Sequence, residues 1–512
     1  MKGRTELFLH NSLTMAIQQV VAMIAAFIIP RILLSVYGSE LNGFVVSVTQ
    51  FISYFVLVEA GISGASIYAL YKPLAENNTA AINGILSAAK KFYQTSGYIF
   101  LVLVCLLAIL YPVFATSLQL SRWQIALVVF SLGAKGVLDF FTLSKYRVLL
   151  TASQKSYVIS WAQIVYWLLN IVIVWVVAKM GFDIVTVQVA VVLSVFARSW
   201  ILYRYTTTHF PFVNYTVPAD IESIKDRWNV LYLQLLGSVQ NALPIILATF
   251  FTSLKEVSVF SIYNLVLMGI MNLLGIFCSG LAASFGDVIV RSQKNILKKA
   301  TQQFEQFYYI LITVVYSTAL LLIIPFIKLY TSNITDVNYI LPWFGFMCVL
   351  NGLLYNLKTP QGMLVISAGM YRQTRWQSTT QALIAAVGGL IGAYFWGIYG
   401  IMGGLMLSNI YRDIDLLFFI PRHLTKLSYK RTLRHIWLVI ITFGLTTILW
   451  YAWPFQIKTI PQWILYAIWS TSLIGLWVLV SNFLINRKNM KEIFERITKL
   501  MFRGLKKDKY HG

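Results

Sequence analysis

Apolar residues fall along this chain in stretches of about twenty, separated by short polar segments rich in lysine and arginine. A helix of that length crosses about 30 Å of hydrocarbon and satisfies its own backbone groups, so each stretch predicts a transmembrane helix. About fourteen are predicted: residues 7–29, 44–70, 92–114, 123–143, 157–178, 184–203, 229–251, 257–285, 307–329, 339–357, 377–396, 399–420, 436–453 and 463–485. The fold class expected is an all-α polytopic membrane protein. Segments 229–251 and 377–396 are the most polar of the set.

Composition points the same way. The 512 residues are 58% hydrophobic and 12% charged, with a mean hydropathy of +0.71, whereas soluble domains carry about 25% charged residues. The net charge of +23 comes from 41 Lys and Arg against 18 Asp and Glu. Nucleic-acid binding is one reading of such an excess, but the basic residues lie in short loops between apolar stretches, as the positive-inside rule requires. With the N-terminus placed in the cytoplasm, the outer loops hold only Arg31, Arg122, Lys179, Lys255, Lys328 and Lys458. An even number of spans then returns the basic C-terminal tail to the cytoplasm as well. The apolar run from Leu7 to Ile29 is of spanning length and lacks a following small-residue cleavage site, so it reads as a retained helix and not a signal peptide. Cys105, Cys278 and Cys348 lie in apolar segments and form neither a disulfide framework nor a metal motif.

Charged side chains inside these segments are costly, at least about 2.5–3.5 kcal/mol each, and therefore mark partners or a water-filled path. Glu59 stands deep in its helix with no local partner. Lys135 and Asp139, four apart, pair with one another or line a substrate path. Arg198 either snorkels to the headgroups or faces inward. Arg412, Asp413 and Asp415 cluster near the end of 399–420. Arg31 follows Pro30, where a break or kink is expected, and a guanidinium there suits a phosphate or an interfacial anchor. Amides on 229–251, Asn241 among them, and Asn264 and Asn272 on one face of the next helix are candidates for sugar contacts or helix pairing. A weak repeat at about 215 residues matches Gly61–Ser66 with Ser279–Ser284, each followed by a basic loop expected to lie as a surface helix. No Walker motif, HExxH, histidine cluster or nucleophile elbow occurs, and no outer loop is long enough for a catalytic domain.

The run Pro30-Arg31-Ile32-Leu33-Leu34-Ser35-Val36-Tyr37-Gly38-Ser39-Glu40-Leu41-Asn42-Gly43-Phe44 resembles a stretch of bacterial polysaccharide flippases. So do Val58–Ile62, Phe260–Asn264, Ala283–Asp287, Gly369–Gln377 and Gly397–Gly404, in the same order. Together they resemble the Wzx-type repeat-unit flippases of the multidrug/oligosaccharidyl-lipid/polysaccharide exporter superfamily. The resemblance implies two six-helix lobes around a central cavity, at 1–205 and 229–420, joined by a cytoplasmic linker at 206–228. It implies two additional helices at 421–485, and a basic tail follows at 486–512. It further implies a non-enzymatic, inner-membrane flippase working by alternating access on an H⁺ or Na⁺ gradient, with no other cofactor and no metal site. The substrate implied is an undecaprenyl-pyrophosphate-linked oligosaccharide, with the pathway's polymerase and glycosyltransferases as possible partners. Arg31 and Glu59 lie within the resembling motifs. The stretch Val239–Pro244 departs from the family pattern, having no acid where members carry one. A peptidoglycan-precursor flippase, a drug or cation exporter, and a membrane polymerase or ligase are the rival readings.

Overall fold

The computed structural model describes residues 4–59, 62–115, 118–220, 242–291, 293–370, 372–452, 457–485, 487 and 490. Every described element is helical. In chain order they are α1 (Arg4–Phe55), α2 (Ile62–Ala75), α3 (Thr79–Phe114), α4 (Arg122–Leu138), α5 (Ser144–Ala152), α6 (Ser156–Lys179) and α7 (Ile184–His209). There follow α8 (Ala242–Phe251), α9 (Leu254–Val290), α10 (Lys294–Tyr330), α11 (Pro342–Leu357) and α12 (Thr359–Ser367). The last are α13 (Arg375–Ile420), α14 (Tyr429–Ala452) and α15 (Ile460–Ile485).

Apart from the non-helical 339–341, the described parts of all fourteen apolar segments fall on helices; 60–61, 229–241 and 453 lie outside the described residues. Ten described helices are long and apolar enough to cross a membrane. Two of the segment pairs are fused. Segments 7–29 and 44–70 meet in α1, which turns at Gly38 (φ 80°), and 377–396 meets 399–420 in α13 at Gly397 (φ 54°). Both turns need a left-handed backbone that glycine alone adopts without strain. The break expected at Pro30 is not there, because α1 runs through that residue and bends eight positions later.

The exposed surface is inverted relative to a soluble protein. On α15 only Ser470, Val478 and Asn482 are buried, while Leu465, Ile468, Trp469, Leu476 and Trp477 are exposed. On α6, Trp161, Leu168, Val172 and Trp175 form an exposed stripe, with Ser160 and Asn170 inside. Apolar outside and small or polar inside is the pattern of helices whose solvent is lipid. The chain is a polytopic α-helical membrane protein.

Two compact units divide the chain: 1–261 with 333–337, and 262–332 with 338–512. In the first, α1 packs on α6, α6 on α7 and α3 on α4, around Phe44, Val48, Tyr93, Phe100, Val128 and Val187. Asn78 caps α3 by accepting from the Ala81 amide, and Ser121 and Gln124 close a capping box on α4. Gly43 of α1 lies so close to α9 that a Cβ there would stand 1.8 Å from the Leu254 carbonyl oxygen. Beside it Asn42 donates to Ser258 Oγ at 2.8 Å. In the second unit α10 carries α14 and α15 on its flank, and α11 packs on α13.

The repeat is visible in the elements. α3 and α10 begin 215 residues apart and are 36 and 37 residues long. α5 and α12 are each nine residues and also begin 215 apart. Among the described residues the two basic segments are helical, as expected, but do not form helices of their own. Lys90–Lys91 and Lys298–Lys299 lie within α3 and α10, since helical propensity runs unbroken from the basic segment into the apolar one.

Candidate functional site

The first unit gathers a cluster of charge where α4 ends. There the backbone loosens into one π turn, Asp139–Leu143, before α5; such a bulge shifts side-chain register, often at functional positions. Asp139 pairs with Arg198 of α7. The guanidinium also donates to Gln163 Oε1 at 2.7 Å, and its carbon lies 4.5 Å from the centre of the Tyr166 ring. Thr142 and Ser199 join the same helices at 2.8 Å. Arg198 therefore does not snorkel outward: its side chain is only 11% exposed.

Glu59 ends a short 3₁₀ turn, Val56–Glu59, that follows α1. Its carboxyl is hydrogen-bonded to Tyr93, which also bonds Ser63. Asp139 and Arg147 both stand close enough to act on it electrostatically. Arg147 lies on the exposed face of α5. Two acids, two guanidiniums and the tyrosines Tyr93 and Tyr166 thus share one end of the unit. Lys135, one turn before Asp139, does not pair with it: its Nζ donates to Gln188 Oε1 at 3.2 Å. Among the described residues no carboxylate lies within ion-pair distance of that lysine.

The second unit holds its own polar interior. Arg412 Nη1 pairs with Asp415 at 2.6 Å, one turn along α13. Lys358, between α11 and α12, donates to Asn409, and Asn409 donates to Asn351 at 2.9 Å. Glu305 of α10 is buried and paired with Arg431 of α14 at 3.1 Å. Gln361 of α12 donates to Glu305 at 3.0 Å, and Thr432 lies at 3.3 Å. Tyr308 donates to Asn356 at 2.6 Å, whose amide reaches Tyr316 at 2.7 Å.

Of the residues singled out from the sequence, Glu59, Asp139 and Arg198 come together in the first unit, with Lys135 a turn away. Arg31 is a partly exposed residue of α1. Arg412 and Asp415 form a pair in the second unit. Asn264 is half-buried on α9, Asn272 is exposed two turns on, and Asn241 lies outside the described residues. Sequence reading missed Tyr93, Arg147, Gln163 and Gln188, which come from distant segments. It also missed Glu305, because its apolar window opened at residue 307; the acid's place on the same helical face as Tyr309 was the available signal.

Each unit is thus built of helices that are apolar outside and holds its own charged cluster. Neither a family model nor a curated protein matches the sequence. Solved structures match the fold at low identity. The "lipid II flippase MurJ, inward closed conformation" aligns with a TM-score of 0.65 at 13% identity, over 92% of this chain and 98% of that one. An inward-facing "multidrug resistance MATE family transporter of the MOP superfamily" aligns at 0.64 and 14%, over 82% and 96%. A ligand-bound structure of the "MATE multidrug transporter DinF-BH" aligns at 0.60 and 16%, over 83% and 98%. The chain has the fold of these transporters, none of which is an enzyme by its description.

Proposed function

We propose that this protein is an ion-coupled flippase moving undecaprenyl-pyrophosphate-linked oligosaccharide repeat units from the cytoplasmic to the outer leaflet of a bacterial inner membrane. The observation that carries the reading is the partly buried Arg198–Asp139 pair with Glu59 and Arg147 beside it. A guanidinium presents paired donors to a phosphate as readily as to a carboxylate. Substrate pyrophosphate and Asp139 therefore compete for one cation. A proton delivered to Asp139 or Glu59 releases Arg198 to the substrate, and its loss returns the pair. That exchange couples an ion gradient to a lipid-linked anion with no covalent step. Gln163, Tyr166 and Asn170 lie where sugar hydroxyls would find donors and a ring face, with Arg31 as a further candidate for the phosphate.

The flippase match extends over 92% of this chain and the two multidrug matches over 82–83%. The longer match supports a lipid-linked substrate over a soluble drug. It also keeps a peptidoglycan precursor, which carries the same lipid pyrophosphate, as the second reading. The test is depletion of the protein with leaflet-resolved measurement of lipid-linked oligosaccharide. The expected result is accumulation on the cytoplasmic leaflet, reversed by wild type and not by Glu59→Ala or Arg198→Ala. Complete repeat units on the outer leaflet with only polymer missing would overturn the proposal. Rescue of a strain lacking its peptidoglycan-precursor flippase would move the substrate to the second reading.

A further inference from the structure

We infer that Lys358 and Asp413 form a proton-binding centre in the second unit, with the signs of charge reversed relative to Asp139 and Arg198 in the first. The inference rests on the reading of the chain as an ion-coupled transporter. Both carboxylate oxygens of Asp413 on α13 are buried, and neither has a hydrogen-bond partner. An ionised carboxylate left without donors in such a place is costly, so it must hold a proton or face a cation. The facing cation is there. Asn409, one turn before Asp413 on the same face, accepts from Lys358, so the lysine stands over the stretch of α13 that carries both residues. Lys358 Nζ also lies 4.6 Å from the centre of the Tyr355 ring. Its ammonium is thus held by an amide and a ring, with no carboxylate in ion-pair contact among the described residues.

The other charged groups nearby are accounted for. On the same helix Arg412 and Asp415 neutralise each other at 2.6 Å. From α10, Tyr309 faces Asp413 with its hydroxyl engaged by Gln361. The centre therefore has two states one proton apart: a neutral Asp413 beside the ammonium, and an ionised Asp413 paired with it. Its position follows the repeat. Lys358 immediately precedes α12, where the π turn bearing Asp139 precedes α5, and Arg198 and Asp413 lie 215 residues apart. The first unit has the acid at the helix junction and the base on the later helix, and the second has the reverse.

The test is infrared difference spectroscopy of the purified full-length protein in lipid nanodiscs, titrated with pH. The expected spectrum contains the carbonyl band of a buried neutral carboxyl that disappears on alkalinisation. The band shifts with ¹³C-aspartate, is lost in Asp413→Asn and is retained in Asp415→Asn. Lys358→Met moves the pH at which it disappears by about one unit or more. Labelled wild-type protein keeps the test independent of whether a variant folds. Absence of any titrating aspartate band in labelled wild type, or its persistence in folded Asp413→Asn, would overturn the inference. A titrating Asp413 band in a protein that moves no lipid-linked oligosaccharide would remove the proposed substrate and leave the proton centre standing.

Discussion

The hairpin within α13 yields the sharpest prediction of packing. Its two halves turn at Gly397 and lie against each other through Gly388, Gly389 and Gly392 on one side and Gly400 and Gly404 on the other. A methyl group at Gly400 would stand 1.9 Å from the Gly392 oxygen, 2.2 Å from its carbonyl carbon and 2.6 Å from its Cα. All three are backbone atoms, so no side chain can swing aside. Non-bonded carbon contacts settle near 3.5–4.0 Å, and the halves must part by more than about 1 Å. Overpacking costs about 1–3 kcal/mol where side chains can adjust, and a backbone clash belongs at the top of that range. About 3 kcal/mol in a unit of this size lowers Tm by roughly 6–12 °C. The measurement is a thermal melt of detergent-purified protein with a thiol-reactive dye, because Cys348 is buried and reports on unfolding of the second unit. Gly403→Ala is the control: nothing lies within 4 Å of its Cβ, so Tm stays put or rises slightly. The double variant Gly392→Ala/Gly400→Ala loses less than the sum of the singles, since the first methyl has already parted the halves. A Gly400→Ala protein melting within about 2 °C of wild type would refute the packing.

Three further outcomes follow from the buried polar groups. Arg198→Gln strands Asp139 and costs up to about 3–5 kcal/mol, while Arg198→Gln/Asp139→Asn recovers much of the loss in the same melt; equal losses in single and double variants would contradict a closed pair. Glu305→Gln frees α14 from α10 and α12 and costs about 3 kcal/mol, read as faster hydrogen exchange at 429–440; unchanged exchange there would show that the ion pair anchors nothing. Gly38→Ala forces a side chain into φ 80° with its Cβ 3.2 Å from Asp336 Oδ2, and costs about 1–3 kcal/mol. Asp336→Ala loses its bonds to the Ser39 amide and hydroxyl, at 2.7 and 2.6 Å, and is expected to lower Tm as well; stable variants at both positions would mean that the loop does not hold the bend.

The helical architecture was legible because lipid imposes one strong constraint, a long apolar run per crossing, and among the described residues each of the fourteen runs lies mainly on helix. Glu59 stood out by the same rule, as a lone acid in an apolar context. What the rule does not carry is pairing. Asp139 and Arg198 are 59 residues apart and meet only because α4 and α7 pack together. Lys135 and Asp139 share a face, yet the π turn and the reach of Gln188 give each a different partner. Glu305 sat beyond its apolar window because hydropathy begins later than the helix α10 does, and Lys358 sits in the turn between α11 and α12, where sequence alone gives no sign of its partner Asn409. The bend in α1 was read from proline, which fixes φ, when glycine at 38 supplies the left-handed turn.

The closed ion pairs have an electrical consequence. A unit charge carried across the whole membrane potential does about 2.3 kcal/mol of work per 100 mV. Asp139–Arg198, Arg412–Asp415 and Glu305–Arg431 each sum to zero, so a helix bearing an intact pair moves through the field without electrical work. Voltage then acts on charge outside these pairs, such as Lys135 and the single proton that distinguishes the two states of Lys358 and Asp413. The transmembrane potential and the pH difference thus meet on that one proton.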